Sequence, residues 1–313
     1  MNILLVNPGR HVALYEQLMA SDIGPKNVYI AENDITAASC LANKVGKNIK
    51  IAKALDQGFI KDLLDICGSE RINHLFSFLD YGLDKLATEK DEFRSLGTEV
   101  VASSLETVRL CEDKMGFFRH MEKNGIGAIP TFADDAILKK HAFPYFAKPR
   151  FGNSSFGVSV LATIKDLRYY LGKGDYIIQP YINGKEYGID LLVKNGEIYD
   201  LFMKEKFSMR AGTTDKAMSV WIEDIFRLVK KLVNVMEFEG PIDIDIFENN
   251  GEYLIGEINP RFGGGYSSAI LCGKNFFWRY LKDRKNENPQ DYKTNVRTVR
   301  YEKTIAANDA GKA

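Results

Sequence analysis

Residues 252–266, EYLIGEINPRFGGGY, close a strand on an acid, an amide, a cation and three glycines. Side chains alternate along an extended chain, so Glu257 and Asn259 share one side and Ile258 faces the other. Arg261 continues the polar side, and Gly263, Gly264 and Gly265 let the backbone come close to a ligand. Just upstream, PIDIDIFENNG puts Asp243 and Asp245 on one face of a second strand, joined to the first by a turn at residues 249–251. If the two faces coincide, three or four oxygen donors converge. Carboxylates pointing inward without a cation are costly, and magnesium favours a few carboxylate and amide oxygens completed by water and phosphate. The alternative is an exposed sheet face with alternating polar residues.

Three further stretches carry groups suited to a nucleotide. In YFAKPRFGNSSFGV, a strand with Lys148 runs into Gly152, Asn153, Ser154, Ser155 and Gly157, a loop whose amides could cradle phosphate. No Gly-Lys-Ser/Thr opens a helix here, so it is not a Walker A loop, and an ordinary hairpin is the competing reading. In IIQPYINGKEYGIDLL, backbone groups of residues 180–182 could read adenine while Glu186 accepts from ribose hydroxyls, or the segment is a charged surface hairpin. In KEKFSMRAGTTDKA, Lys204, Lys206, Arg210 and Lys216 would offset phosphate charge or form a solvated loop.

These groups need a scaffold, and the chain has the material for one. Its 313 residues are 45% hydrophobic and 27% charged, which implies a globular chain of two or three domains. A formal net charge of +0 argues against a general nucleic-acid or membrane-surface binder. The start, MNILLVNPGR, lacks a charged lead-in and a long apolar run, and no later stretch approaches a membrane span, so a cytoplasmic protein is expected. Cys40, Cys67, Cys111 and Cys272 lack paired metal spacing and read as buried free thiols, and the four histidines are isolated in sequence.

The first hundred residues alternate short β-rich runs (NILLV, NVYIA, IKIAK, HLFSF) with helical runs, the rhythm of a parallel α/β unit. NPGRHV after the first strand lacks the glycine spacing of a dinucleotide fold, so a structural or substrate-side role is expected there. Ser104 suits a helix cap, and Gly125 a helix stop. From Phe143 onward antiparallel signals dominate, with hairpins at KNGE and NNGE and one amphipathic helix in VWIEDIFRLVKKLVNVME. The tail NDAGKA reads as frayed.

Taken in order, Asp113-Lys114, strand Lys148 with its Gly/Ser loop, the hinge with Glu186, and GEINPR resemble the ATP-grasp superfamily over about residues 104–304. The nearest likeness is to stand-alone proteins similar to the large subunit of carbamoyl phosphate synthase, which share patterns like MRAGTTDKA and EINPRFGGGY. The resemblance implies a Rossmann-like parallel α/β domain over residues 1–105. It then implies an ATP-grasp fold over 106–304, with a small lid subdomain over about 120–182 and an antiparallel-sheet domain, and a frayed tail at 305–313. It implies ATP and Mg²⁺ as cofactors, with Mn²⁺ as an alternative. Lys114, Lys148, Ser154 and Ser155 would meet phosphate, Gln179, Tyr181 and Ile182 adenine, and Glu186 ribose. Asp245, Glu257 and Asn259 would ligate metal, with Asp243 competing for Asp245's place. Arg261, with Arg210 and Lys204, would handle the reacting groups. Gln179 stands where the family often has an acid, and the loop has fewer glycines than the richest members.

The implied reaction joins a small-molecule carboxylate to an amine or other nucleophile through an acylphosphate, with no nucleic acid or membrane partner and homodimers common in the family. Two other functions compete: an ATP-binding regulatory protein that does not turn over, and a carbamoyl-phosphate-synthase-like enzyme that phosphorylates bicarbonate or another carboxylate.

Overall fold

The computed structural model describes residues 1–304 apart from 25, 45, 153–156 and 211. Strands β1 (Asn2–Val6), β2 (Asn27–Glu32), β3 (Asn48–Lys50), β4 (His74–Ser77) and β5 (Glu99–Val101) form a parallel sheet in the order β3-β2-β1-β4-β5. Helices Val12–Ala20 and Gly58–Ser69 are among its crossovers. Ile3 to Val6 are fully buried, as a strand covered on both faces requires, which is why NILLV is a continuous apolar run. The order reverses between β1 and β4, so the loops leaving those two strands diverge and open a crevice.

Helix Leu105–Glu112 starts where the Ser104 side chain accepts from Thr107 N–H. Helix Lys114–Lys123 starts at Asp113, whose carboxylate accepts from the Met115 and Gly116 amides. It ends before Gly125, which adopts φ +64°. A second, antiparallel sheet has the order β7-β6-β8, from β6 (Tyr145–Pro149), β7 (Ser159–Leu161) and β8 (Tyr176–Pro180). Its small core holds Ile137, Tyr145, Leu161, Leu167 and Ile178.

The third sheet is the largest: β9 (Glu186–Lys194), β10 (Glu197–Arg210), β11 (Thr213–Ser219), β12 (Gly240–Asn249), β13 (Glu252–Asn259) and β14 (Arg297–Val299), ordered β13-β12-β9-β10-β11-β14. The two Asn-Gly turns adopt left-handed backbone throughout, φ 52° and 75° at Asn195 and Gly196, 52° and 84° at Asn250 and Gly251. That geometry matches the twist of paired strands and sets the pairing next to each turn, with a register shift further along at Ile198/Asp200 and at Asp245/Ile246. One face, with Ile189, Leu191, Met203, Ile242, Ile244 and Ile246, packs in one core with Ile225, Val229 and Leu232 of helix Glu223–Val233. The other face carries the charges.

All four cysteines are free and buried. Among the described residues, no helix is long and apolar enough to cross a membrane. Strand β14 and the helices Ser267–Leu271 and Phe276–Leu281 are elements that the sequence patterns do not announce.

Ile244 is fully buried between Asp243 and Asp245, so its packing anchors the strand that carries both acids. Ile244→Ala is expected to cost about 2–5 kcal/mol of unfolding free energy, read from the urea midpoint at unchanged m value. A loss below about 1 kcal/mol would show that β12 is held by other means.

Candidate functional site

Register decides which side chains meet. Across β12 and β13, Asp245 stands opposite Glu257 and Asp243 opposite Asn259. On the other flank of β12, Asp245 faces Gly188 and Asp243 faces Asp190. Strand β10 then sets Lys204 opposite Gly188 and Lys206 opposite Glu186. Gly188 is what admits both lysines: a Cβ there would lie 2.8 Å from Lys206 Cε and 3.0 Å from Lys204 Cε.

Lys206 Nζ donates to Glu186 Oε1 at 2.8 Å and to Asp245 Oδ1. Burial alone would lower its pKa, but Asp245, Glu186 and Asp243 outweigh that and raise it above the ordinary lysine value. Lys204 donates to Asp190 Oδ2 in a pair only 1% and 2% exposed. Burial pushes the Asp190 pKa up against the pull of Lys204, and Asp243 adds to the rise. The lysine therefore sits beneath the glycine loop, its Cε 3.1 Å from where a Cβ on Gly265 would be.

Arg261 leaves the end of β13 and reaches two units of the chain. It donates to Asp80 Oδ2 at 2.8 Å, in the loop after β4, and to the Phe262 carbonyl at 3.0 Å, and pairs with Asp243 Oδ2 at 3.5 Å. Gly263 is obligatory beside it, since a Cβ would stand 2.5 Å from Asp243 Oδ1. Lys148 enters from β6 and lies 3.4 Å from the Gly256 carbonyl. Burial lowers its pKa, with Glu257 opposing and Lys114 adding to the drop.

Lys114 donates through Nζ to the Gly152 carbonyl, and its amide donates to the Arg150 carbonyl at 3.2 Å. Arg150 grips Asp113 with Nε at 2.6 Å and Nη2 at 2.5 Å. The start of the Gly/Ser loop is thereby tied to a helix N-terminus. Ser154 and Ser155 lie outside the described residues.

Gln179 is buried and its Nε2 donates to Thr131 Oγ1 at 2.8 Å. The Gln179 amide is thereby committed within the chain. Tyr181 is 43% exposed, and its N–H donates to the Pro144 carbonyl at 3.2 Å. Ile182 is half-buried. Arg210 pairs inside its own hairpin with Asp215 at 3.0 Å and with Glu302 at 3.5 Å.

A cavity of about 240 Å³ opens between these elements. Glu257 and Asn259 line one wall, Asp80 to Asp84 and Glu112 another, and Phe151 with Gly152 a third. Burial raises the Glu112 pKa, and Asp84 and Asp80 raise it further. Among the described residues no cluster of three or more His, Cys, Asp or Glu side chains could hold an ion. The set at β12 and β13 is two carboxylates and an amide, all oxygen donors of the kind a hard cation takes with phosphate and water. Sequence patterns alone understate Lys206 and Asp80; alternation from Lys204 would have put Lys206 on the same face.

The sequence profile of the ATP-grasp domain matches residues 111–265, and that of the PylC-like N-terminal domain matches residues 3–101. The chain belongs to the ATP-grasp superfamily. Among curated proteins, the arginine-specific carbamoyl phosphate synthase large chain of Bacillus subtilis is 20% identical over 216 residues, 62% of this chain. The chain spans only 21% of the length of that relative. The D-alanine–D-alanine ligase of Petrotoga mobilis is 26% identical over 232 residues, 64% of this chain and 76% of the ligase. Among solved structures, the N5-carboxyaminoimidazole synthetase of Staphylococcus aureus complexed with ADP superposes with a TM-score of 0.72 at 16% identity, covering 92% of this chain and 78% of that one. The biotin carboxylase domain of the Hydrogenobacter thermophilus 2-oxoglutarate carboxylase, in complex with MgADP, ADP and bicarbonate, gives 0.74 at 14% identity, covering 94% and 73%. At these identities the likeness shows a shared fold.

Asp113 shows how the acid end of the stability profile is set. The Arg150 fork holds its carboxyl below the usual carboxylate range against opposing burial, with the Gly116 amide assisting. A depressed folded pKa gives stability that is present above the unfolded value and lost as pH falls through the folded one. Asp113→Asn keeps the cap but loses the charge, so it should cost about 1–2 kcal/mol at pH 7, with the difference from wild type shrinking below about pH 4. Urea unfolding at pH 7 and pH 3 measures this, and a gap that widens toward acid would contradict the assigned ion pair.

Proposed function

We propose that this chain is an ATP-dependent carboxylate–amine ligase that activates a carboxylate as an acylphosphate and releases ADP and phosphate. The observation that carries the reading is the in-register row Asp245, Glu257 and Asn259, flanked by Lys148 on one side and Arg261 on the other. The superfamily membership and the ADP-bound and MgADP-bound neighbours support it.

In this reading the nucleotide lies between the small sheet and the large one. Backbone groups around Gln179, Tyr181 and Ile182 hold adenine, and Glu186 accepts from ribose hydroxyls. Lys114 and Lys148 meet the phosphates, and Ser154 and Ser155, outside the described residues, are proposed to meet them as well. Asp245, Glu257 and Asn259 would hold Mg²⁺, or Mn²⁺ in its place. When bound, the metal would supply neutralisation of phosphate charge.

The chain's own residues do the rest. Lys148, partly desolvated, is a cation held ready for the γ-phosphate as its charge develops. A substrate carboxylate oxygen attacks the γ-phosphorus, the bond to the bridging oxygen breaks, and ADP leaves. Arg261 stabilises the charge on the acylphosphate, held in place by Asp80 and Asp243. The amine then attacks the acyl carbon and phosphate departs. Phe151 and Gly152 line the cavity and limit the access of water, which would hydrolyse the intermediate. No covalent nucleophile on the protein is required.

The test is ADP release from Mg²⁺-ATP with pooled carboxylic acids and amines, comparing wild type with Glu257→Gln. Release that depends on a pool, vanishes in the variant and leaves far-ultraviolet circular dichroism unchanged is the expected result. Magnesium-dependent ATP binding with no release from any pool would favour an ATP-binding regulatory protein instead. Arg261→Lys keeps a cation between Asp80 and Asp243 but loses the fork, and should lower kcat by about 10²-fold with little change in the Kd for ATP. An unchanged kcat would remove Arg261 from the chemistry.

A further inference from the structure

The crevice between β1 and β4 contains groups that nucleotide binding leaves unused. The loop after β1 is bent by left-handed backbone at Asn7 (φ 50°) and Gly9 (φ 54°). It is clamped on both sides: the Gly9 N–H donates to Glu32 Oε1, and the Gly9 carbonyl accepts from Ser39 N–H at 3.0 Å. Arg10 is exposed at its tip, and the His11 ring sits 5.5 Å from that of Phe78. Phe78 stacks on Phe262 at 5.4 Å, which sets His11 against the segment that carries Arg261.

A third segment closes the corner. Arg300 follows β14, with its N–H donating to the Asp215 carbonyl at 2.8 Å. Thr213 and Thr214, in the same hairpin, press on the glycines: a Cβ on Gly264 would lie 2.7 Å from Thr213 Cγ2, and one on Gly265 3.1 Å from Thr214 Oγ1. Burial and the charges of Arg261, Arg300 and Arg10 together hold His11 neutral, its pKa lowered to about 4. The nearby acids are committed elsewhere: Asp80 and Asp243 to Arg261, Asp215 to Arg210, and Glu32 to the Gly9 amide. Among the described residues, neither Arg10 nor Arg300 has an ion pair or a side-chain hydrogen bond.

We propose that this corner binds an anionic group, a carboxylate or a phosphate, on the part of the substrate that does not react. Arg10 and Arg300 pair with the anion, and the neutral His11 ring donates a hydrogen bond to it. The site lies at the topological switch point of the parallel sheet, beside Arg261, so an anchored substrate projects its other end toward the phosphates. The proposal rests on the ligase reading and narrows it to substrates with a second acidic group.

The experiment is calorimetric titration of the full chain, saturated with the magnesium complex of a non-hydrolysable ATP analogue. The titrants are succinate, inorganic phosphate and, as an uncharged control, succinamide. Binding of succinate or of phosphate, whichever is the fitting anion, is expected without binding of succinamide. Arg10→Gln with Arg300→Gln should weaken it by about tenfold or more and leave analogue affinity unchanged. Equal anion affinity in the double variant, or binding of neither anion, overturns the proposal. Failure of the analogue to bind would count against the ligase reading alone, because the same anion titrations repeated on nucleotide-free protein still decide the corner.

Discussion

Placing several carboxylates on one covered face of a sheet is tolerable only if cations stand among them, and the large sheet is arranged around that constraint. Glu186, Asp190, Asp243, Asp245 and Glu257 share the face with Lys204, Lys206, Arg261 and the incoming Lys148. The acids outnumber the basic groups by one, and among the described residues Glu257 is the one carboxylate of this set without an ion pair. An acid in that position favours a further cation, which is the electrostatic basis for reading it as a metal ligand. The opposite face has no such demand and is aliphatic throughout its centre.

The arrangement depends on register more than on any single contact. A slip of one residue between β12 and β13 would send Asp243 and Asp245 into the aliphatic core and Ile244 onto the charged face. The Asn250-Gly251 turn sets the pairing at the hairpin end, a one-residue shift between Asp245 and Ile246 then brings Glu257 rather than Gly256 opposite Asp245, and Gly188 opens the gap into which the lysine stems fit. The parallel N-terminal sheet is joined to this face through Arg261 and Asp80, so the site is completed by residues from both units.

Much of this was legible in the sequence because the signals are local. Alternation in PIDIDIF and EYLIGEIN gives the two strand faces, Asn-Gly marks the turns, and Ser104 and Gly125 mark helix ends. What was not legible depends on pairing between distant segments. Nothing near Lys206 says that it will bridge Glu186 and Asp245, because that follows from the order β12-β9-β10. Asp80 meets Arg261 across 181 residues, and Gln179 turns to Thr131 only because the small sheet closes over it. Strand β14 is three residues long and gains its identity from β11, so its own composition carries no pattern.

Lys206 gives Glu186 and Asp245 a resident counter-ion from within the chain. Under the proposed function, loading a divalent metal next to Asp245 would be an exchange of one cation for another rather than a simple addition. The affinity would then be a difference between two attractions, more modest than two bare carboxylates would produce. The same exchange would run backward as a spent nucleotide departed, with the ammonium returning so that the acids are not left to repel each other. A site of that kind would restore its own neutrality and have no electrostatic reason to retain its product.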